Sequence, residues 1–205
     1  MLRLKRFKVA RRLGPAVFDQ TQTERFAMSE ARKKAAPMKD KRRKNISAYN
    51  VSLRDKQRLR IFYGMPERQF KRYVKESVAK EGNAVVNLYT MLESRLDNVV
   101  YRVGLAGTHR AARQMVSHGH ITVNGKKIRV PSHIVSLGNI IGIREGSVGS
   151  KLFTNNEEKK DVVTKAPSWI TENEKDRTWK ISGAPRADEV PDAFNIPSVV
   201  EFYSR

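Results

Sequence analysis

Apolar positions recur at helical spacing through the middle of the chain. Between about residues 85 and 103, an apolar residue returns every three or four positions, which is typical of a helix that buries one face. Gly104 supplies a stop, because glycine readily adopts the left-handed conformation that ends many helices. The pattern therefore predicts one helix over about 85–103 whose buried stripe is Leu88, Leu92, Leu96, Val99 and Val103.

Two more helices are predicted upstream. Ser52 followed by Asp55 resembles a capping box, so the first helix would run from Ser52 to Gly64. Pro66 suits the first turn of a second helix that ends at Gly82. On this second helix one stripe is apolar and another is basic, so one face packs and the other is free to meet phosphate. The apolar stripe is Phe70, Tyr73, Val74 and Ser77, and the basic stripe is Arg68, Arg72 and Lys75.

A short helix followed by a hairpin is predicted downstream. Thr108 is a good N-cap for a helix that ends near Ser117, with Gly119 as its stop. At about 100° per residue, Ala112, Met115 and Val116 share one face, while Arg110, Arg113, Gln114 and Ser117 share the opposite one. The helix is therefore predicted to be apolar behind and basic in front.

Asn124-Gly125 predicts a two-residue hairpin turn, because a type I′ turn needs positive φ at both central residues. This register pairs Val123 with Lys126, Thr122 with Lys127, Ile121 with Ile128 and His120 with Arg129. By strand alternation, one set of side chains faces the core and the other faces outward. The inward set is Ile121, Val123, Ile128 and Val130, and the outward set is His120, Thr122, Lys127 and Arg129.

The net charge of the chain indicates a polyanionic partner. The 205 residues include 41 Lys and Arg against 21 Asp and Glu, giving a net charge of +20 and a pI near 10.4. Residues 1–80 hold 24 basic and 7 acidic side chains, a net +17, so most of the net positive charge lies in this N-terminal part. A membrane surface is the second candidate polyanion, although no apolar run reaches the roughly 18 to 20 residues of a spanning helix. Cysteine is absent, which excludes disulfides and thiolate metal sites.

Two basic runs stand out near the start. The first includes Lys5, Arg6, Arg11 and Arg12, and the second, KDKRRKN, includes Lys41, Arg42, Arg43 and Lys44. Either run alone is compatible with a solvated tail. An organelle transit peptide for the first and a nuclear signal for the second are alternative hypotheses.

Two of the four histidines, His118 and His120, lie one residue apart beside the hairpin. A metal site, catalytic machinery and the edge of a polyanion-binding surface are the three possible interpretations. An exposed histidine opposite an arginine, without a thiol or a nearby carboxylate, disfavours a metal. The third interpretation places one basic patch on a rigid unit, with a solubilising face as its alternative. The patch comprises Arg110, Arg113, Gln114, His118, His120, Lys126, Lys127 and Arg129.

The middle of the chain resembles a known family. The run from Ser94, SRLDNVVYRVGLAGTHRAARQMVSHGHITVNGKKIRVPSHIVSLGNIIGI, closely resembles the S4 RNA-binding module, in which two helices and a hairpin form a compact unit. Three further stretches are similar to the ribosomal protein S4 family itself: LRDKQRLRIFYGMPERQFKRY from Leu53, MLESRLDNVVYR from Met91, and VVEFYSR ending at Arg205. Many bacterial members carry four zinc-binding cysteines, so this chain would resemble the zinc-free bacterial or organellar type. AAPMKDKRRKN stands where the family usually has a Pro-Gly-Gln-His-Gly stretch.

The resemblance implies an α+β fold in which a mostly helical domain carries an inserted S4-type module of two helices, a hairpin and short strands. It implies a basic N-terminal arm over 1–48 and a discontinuous helical RNA-binding domain over 49–92 with 176–205. The inserted module would span 93–145, and a linker and extension would span 146–175.

The resemblance also implies primary binding of small-subunit ribosomal RNA at a multi-helix junction, which nucleates assembly. Neighbouring ribosomal proteins, a role in translational accuracy and contact with messenger RNA where it enters the subunit are further expectations. Tyr63 could stack on RNA or lie in the core, and Arg95 could contact RNA or pair with Asp97 or Glu93. The candidates on the helical domain and its junction with the module are Arg54, Lys56, Arg58, Arg60, Tyr63, Arg68, Arg72 and Arg95.

An enzyme is the main alternative of a different class, because the S4 module also accompanies pseudouridine synthases. Such enzymes need a separate catalytic domain, and only 61 residues follow Arg144. Trp169 and Trp179 in that segment are predicted to fill the core. A free RNA-binding stress factor is a third hypothesis, which predicts a shorter chain. We therefore expect no catalytic residues, no metal, no cofactor and no membrane association, and a cytoplasmic ribosome, or an organellar one, as the location.

Overall fold

The computed structural model describes residues 5–35, 47–150, 152–153, 166–173, 176–186 and 194–204. Its contacts divide the chain into two compact units. Unit 1 comprises Met1–Val74 with Pro191–Arg205, and unit 2 comprises Lys75–Val190. Helices and an antiparallel sheet are both present, so the predicted α+β class is confirmed.

Unit 1 is helical in its described part. It contains α1 (Arg6–Leu13), α2 (Glu24–Ala35), α3 (Ala48–Phe62), the start of α4 (Glu67–Ala79) and the last helix, α8 (Ile196–Ser204). Helix α1 buries Ala10 and Leu13, which lie three residues apart on one face. The Arg58 guanidinium of α3 donates to the Leu13 carbonyl and so satisfies an acceptor at the end of α1.

Helix α3 begins before the predicted capping residue. The Ser47 hydroxyl accepts a hydrogen bond from the Asn50 backbone N–H at 3.4 Å, so Ser47 is the N-cap. Ser52 lies inside the first turns, where its hydroxyl donates to the Ala48 carbonyl. The predicted start at Ser52 is therefore wrong, because a cap-like residue inside a helix can turn its hydroxyl back onto the preceding turn.

In its described part, unit 2 combines helices with a five-stranded sheet. The helices are α5 (Ala84–Glu93), α6 (Leu96–Arg102) and α7 (His109–His118). The strands are β1 (Ile121–Val123), β2 (Lys126–Lys127), β3 (Ile140–Ile143), β4 (Ile170–Asn173) and β5 (Thr178–Ile181), in the order β2-β1-β3-β5-β4 with antiparallel neighbours. The core of this unit joins α6 and α7 to the sheet, and Trp169 and Trp179 are buried in it as predicted.

The single helix predicted over 85–103 is two helices. All five members of its apolar stripe are buried, which confirms the core-facing prediction. The chain breaks between them because the Leu96 N–H donates to the His133 carbonyl at 2.8 Å and the Asp97 N–H donates to the Pro131 carbonyl at 3.1 Å. These long-range bonds replace the helical bonds that a continuous helix would make.

The sheet of unit 2 includes strands from two segments near the end of the chain. Strand β5 pairs with β3, with Ile141 opposite Trp179, and β4 pairs with β5. Residues predicted as linker or as closure of the helical domain therefore complete the sheet of unit 2. The boundary between the two compact units lies within α4, between Val74 and Lys75.

Candidate nucleic-acid interface

Helix α7 is apolar on one face and polar on the other, as predicted. The Thr108 hydroxyl accepts from the Ala111 N–H at 3.2 Å, and Gly119 ends the helix in the left-handed conformation at φ 74°. Ala112, Met115 and Val116 are buried, whereas Arg110, Gln114 and Ser117 are exposed. The helix therefore holds a polar face in a fixed position on the core of unit 2.

The hairpin has the predicted register, with Thr122 opposite Lys127 and Val123 opposite Lys126. Ile121 and Val123 are buried, and Ile128 is half-buried against the same core. Val130 is 56 % exposed, so its assignment to the core is wrong. The reason is that β2 ends at Lys127, after which strand alternation no longer determines where a side chain points.

Five basic or imidazole side chains gather where α7 meets the hairpin. We call His118, His120, Lys127, Arg129 and Arg144 the hairpin cluster. A Cβ atom placed on Gly119 would lie 2.3 Å from Lys127 Cε and 3.3 Å from Arg129 Cγ, so both side chains lie over the end of α7. Arg144 lies beside them because its backbone N–H donates to the His120 carbonyl at 2.9 Å. This bond continues the pairing of β1 with β3.

The cations of this cluster repel one another. Arg129 lowers the pKa of Lys127 from its usual value, with smaller contributions from desolvation and from Arg144. Within the described residues, neither lysine nor arginine of the cluster has an acidic partner. A bound polyanion would relieve this repulsion, so the cluster is suited to phosphate groups.

The two histidines do not form a metal site with the described residues. Their ring centroids are 6.1 Å apart, and His120 Nδ1 lies 3.0 Å from the Ser147 hydroxyl. Desolvation lowers the pKa of His120, and His118, Arg144 and Lys127 lower it further, so the ring is neutral near pH 7. Among the described residues, no group of three or more His, Asp and Glu side chains is placed to hold a metal ion.

Arg95 has a structural position, which corrects its assignment as an RNA contact. It is 0 % exposed and binds Asp97 through two hydrogen bonds, Nε to Oδ1 at 3.0 Å and Nη2 to Oδ2 at 2.7 Å. Arg113 also approaches Asp97, at 3.2 Å, and only part of its side chain reaches solvent. Asp97 thus connects the start of α6 to α7. Arg113 pairs with this carboxylate and is also partly exposed on the polar face of α7.

A second buried network connects α5, α6 and α7. Arg102 makes two 2.8 Å hydrogen bonds to Glu93, and Asn98 Nδ2 donates to the same carboxylate at 2.8 Å. The Asn98 Oδ1 atom therefore accepts, and His109 Nε2, 3.1 Å away, must carry the proton. Burial lowers the pKa of His109 to about 3, with further contributions from Arg102, Arg113 and Arg95.

In unit 1, several predicted contact residues already have partners within the protein or are buried. Lys56 and Arg60 both pair with Glu67, at 2.8 and 3.2 Å, and the Lys56 amino group lies 4.9 Å from the centre of the Phe202 ring. Arg58 pairs with Asp55 at 3.2 Å. Tyr63 is buried, so the core alternative holds for it.

The remaining candidates are placed as follows. Arg6 and Arg54 are half-buried, and Arg6 donates to Gln20. Residues Lys41, Arg42, Arg43 and Lys44 lie outside the described residues. The candidates exposed to solvent are Lys5, Arg11, Arg12, Arg68, Arg72, Arg110, Gln114, His118, Lys126, Lys127 and Arg129, and His120 is half-buried.

Arg144 is a member of the hairpin cluster that the sequence prediction missed. Arg144 directly follows the apolar run Ile140–Ile143, which forms β3. Since β3 pairs with β1, a cation at the end of β3 lies at the same edge of the sheet as the start of the hairpin. Without knowledge that β3 pairs with β1, however, nothing in the sequence brought Arg144 next to His120.

Exposed cations held on a compact helix-and-sheet unit are suited to binding a polyanion such as RNA. Residues 94–141 match the S4 domain, and residues 2–93 match the ribosomal protein S4/S9 N-terminal domain. The chain belongs to the ribosomal protein S4 family, which confirms the resemblance inferred from the sequence. Members of this family are structural, non-enzymatic proteins, so the prediction of a non-enzyme is also confirmed.

Individual relatives agree with the family assignment. The chain is 42% identical over 163 residues to the small ribosomal subunit protein uS4 of Listeria welshimeri, covering 80% of each chain. It is 38% identical over 199 residues to the protein of the same name from Roseiflexus sp., covering 97% of this chain and 96% of the relative. The uS4 protein of Persephonella marina is 43% identical over 164 residues, 80% of each chain.

Among the described residues, no helix combines the length and the apolar character needed to cross a bilayer.

Proposed function

We propose that this chain is a structural constituent of the small ribosomal subunit that binds the subunit's ribosomal RNA. The family assignment and the names of the relatives support this role. Rigid cationic side chains can match the phosphate spacing of folded RNA, whose deep, narrow groove hides the base edges. We further propose a multi-helix junction as the target, because a junction offers phosphates in a geometry that a plain duplex lacks.

The hairpin cluster is the observation that carries this proposal. Lys127 and Arg129 lie over the end of α7, and Arg144 is fixed beside them through its backbone bond to His120. The charges repel one another and have no acidic partner in the described part of the chain. Arg110 and Lys126 extend the surface, since both are exposed on the same elements.

The exposed arginines of α4 are a second proposed contact surface. Arg68 and Arg72 lie four residues apart, so they share one face of the helix. The opposite face is buried through Phe70, Tyr73 and Val74. Lys56 and Arg60 are weaker candidates than in the sequence prediction, because Glu67 already neutralises part of their charge.

Finer roles follow from the family resemblance. We propose early binding that nucleates subunit assembly, contacts with neighbouring ribosomal proteins, a contribution to translational accuracy, and contact with messenger RNA where it enters the subunit. We propose the cytoplasmic ribosome as the location. Binding to ribosomal RNA before any other protein is present is the property on which the assembly role depends.

Binding at graded salt concentrations tests the proposal directly. The full chain is titrated with the five-helix junction of small-subunit ribosomal RNA and with an RNA duplex of equal length. We expect a strong preference for the junction that persists near 0.15 M salt. Equal binding to both RNAs, with the same steep salt dependence, would reduce the function to generic charge attraction.

A further inference from the structure

A small cavity of about 90 Å³ opens beside the hairpin cluster. Four of its lining residues recur at helical spacing along one face of α7: Ala111, Gln114, Met115 and His118. His120 and Leu152 complete the lining. The cavity therefore lies between the helix that presents the polar face and the residue that leads into β1.

The surface of the cavity is almost entirely apolar. Ala111, Met115 and Leu152 contribute only apolar side-chain surface, which favours contact with the face of a flat ring. Gln114 and His118 have no side-chain hydrogen bond within the described residues, so their polar groups are free to pair with a ligand. Small-ligand sites are mostly apolar, and this lining shares that property.

His120 is held in place at the edge of this cavity. Its Nδ1 atom is 3.0 Å from the Ser147 hydroxyl, and its ring meets Phe153 edge-on at 6.3 Å between centroids. The other ring nitrogen, Nε2, has no hydrogen-bond partner among the described residues. Burial and neighbouring cations lower the pKa of His120, so its ring is neutral near pH 7 and can share a proton with a neutral partner.

Cationic side chains lie next to His120 at the edge of the cavity. Lys127 and Arg144 lie close enough to His120 to lower its pKa, and Arg129 lies beside Lys127. A flat, polar-edged ring in the cavity would therefore have cations beside it for an attached phosphate. Unpaired RNA bases are recognised in this way, by contact with their faces and hydrogen bonds to their edges.

We propose that this cavity binds one unpaired pyrimidine base of the bound RNA, while Lys127, Arg129 and Arg144 bind the adjoining phosphates. An enclosed cavity of about 150 Å³ holds benzene, so this open cavity of about 90 Å³ admits at most one six-membered ring, inserted in part, and not a whole purine. Gln114, His118 and His120 pair with the base edge. This inference rests on the proposed RNA-binding function and adds the class of nucleotide that the site selects.

Filling the cavity tests the inference without changing the charge. Ala111→Leu adds apolar volume to the floor, and Ala27→Leu makes the same change at an exposed position of α2 as a control. Because one base contact is lost, we expect Ala111→Leu to weaken binding of the ribosomal RNA junction about tenfold. The slope of affinity against salt should stay at the parental value, since no phosphate contact is removed. The Ala27→Leu chain should bind as the parent does.

A second measurement locates the base. With the methyl group of Met115 labelled with ¹³C, the full chain is titrated with uridine 5′-monophosphate, ribose 5-phosphate and inorganic phosphate. Uridine monophosphate should shift the Met115 signal, whereas the two ligands without a base should not. A shift of equal size with ribose 5-phosphate would show that phosphate binding alone moves the helix, and would overturn the base-binding role.

The outcomes separate this inference from the proposed function. If the parent chain does not prefer the junction over a duplex, the proposed function fails. If the parent prefers the junction and a folded Ala111→Leu chain binds it equally well, only the cavity inference fails. Should Ala111→Leu not fold, Leu152→Trp fills the same cavity from a position that is 46% exposed, and unchanged junction binding by that variant overturns the inference.

Discussion

At the residue scale, Arg95 illustrates how a basic side chain in an RNA-binding protein can serve the fold. Its guanidinium is fully buried and neutralises Asp97, which is itself almost completely buried. Removing one member of such a pair leaves an uncompensated charge in the interior. Arg113 remains near Asp97, at 3.2 Å, but it is partly exposed and lies on a different helix, whereas Arg95 is fully buried beside the carboxylate.

We therefore expect Arg95→Met to lower the free energy of unfolding by about 3 kcal/mol. Arg110→Met, at an exposed position of α7, should lower it by less than about 0.5 kcal/mol. Urea unfolding followed by tryptophan fluorescence measures both, because Trp169 and Trp179 lie in the core of unit 2. If Arg95→Met instead left stability unchanged and reduced the salt slope of RNA binding, Arg95 would be an RNA contact after all.

His109 makes the stability of unit 2 depend on pH. Burial depresses its pKa to about 3, below the value of about 6.5 in an unfolded chain. Between these values the unfolded state binds more protons, so the histidine's contribution is complete above about pH 6.5 and is lost as pH falls towards 3.

For the parent chain, this histidine should reduce the free energy of unfolding by up to about 1.4 kcal/mol per pH unit between pH 6 and 4. His109→Gln keeps a donor for Asn98 but does not titrate, so its stability should fall less steeply over the same range. His118→Gln, at an exposed position, is the control. Parallel profiles for the parent and His109→Gln in urea unfolding would contradict the prediction.

At the element scale, the junction of α7 with the hairpin depends on Gly119. Its φ of 74° favours glycine, and an added Cβ would meet Lys127 at 2.3 Å. Gly138 has a similar φ of 83° but open space around the same position. Substituting alanine at either glycine should cost about 1 kcal/mol of stability from the backbone alone.

The two substitutions should differ in RNA binding. Gly119→Ala must displace Lys127 and press on Arg129, so we expect weaker binding of the ribosomal RNA junction. Gly138→Ala should bind like the parent, since it moves no cation. Thermal unfolding and RNA titration of both variants separate the backbone cost from the cluster geometry, and equal RNA affinities would show that the position of Lys127 is unimportant.

Elements whose determinants are local could be predicted from the sequence. Helix α7 follows from Thr108, Gly119 and its apolar face, and the hairpin register follows from Asn124-Gly125. The break between α5 and α6 could not be predicted, because residues 131 and 133 supply its hydrogen bonds. Strand β5 was missed for the same reason, since its partner β3 lies about 40 residues away along the chain, and β4 pairs with β5.

In the candidate site, too, residues placed by local patterns could be predicted, and residues placed by long-range pairing could not. Lys127 was identified because hairpin alternation is a local property, whereas Arg144 required the pairing of β3 with β1. Arg95 was misassigned because sequence alone does not reveal that its charge is buried with Asp97. The cavity beside α7 also needed Leu152, which no periodic pattern connects to the helix.

At the scale of the whole molecule, charge is concentrated in two ways that should act differently on RNA. Residues 39–45 carry five cations in one contiguous run, which attracts any polyanion. The hairpin cluster brings Lys127, Arg129 and Arg144 together at one edge of the sheet of unit 2. The contiguous run should therefore supply affinity, and the cluster should supply selectivity for RNA shape.

Two triple variants that each remove three positive charges test this division. Arg42/Arg43/Lys44→Gln should weaken binding to the ribosomal RNA junction and to an equal-length duplex by the same factor, so the preference for the junction persists. Lys127/Arg129/Arg144→Gln should remove most of that preference. Each variant should reduce the salt slope by at most about 2.7 units, because each neutralised phosphate contributes roughly 0.9. If the two variants lost junction preference equally, total charge rather than the geometry of the hairpin cluster would determine how this protein selects its RNA.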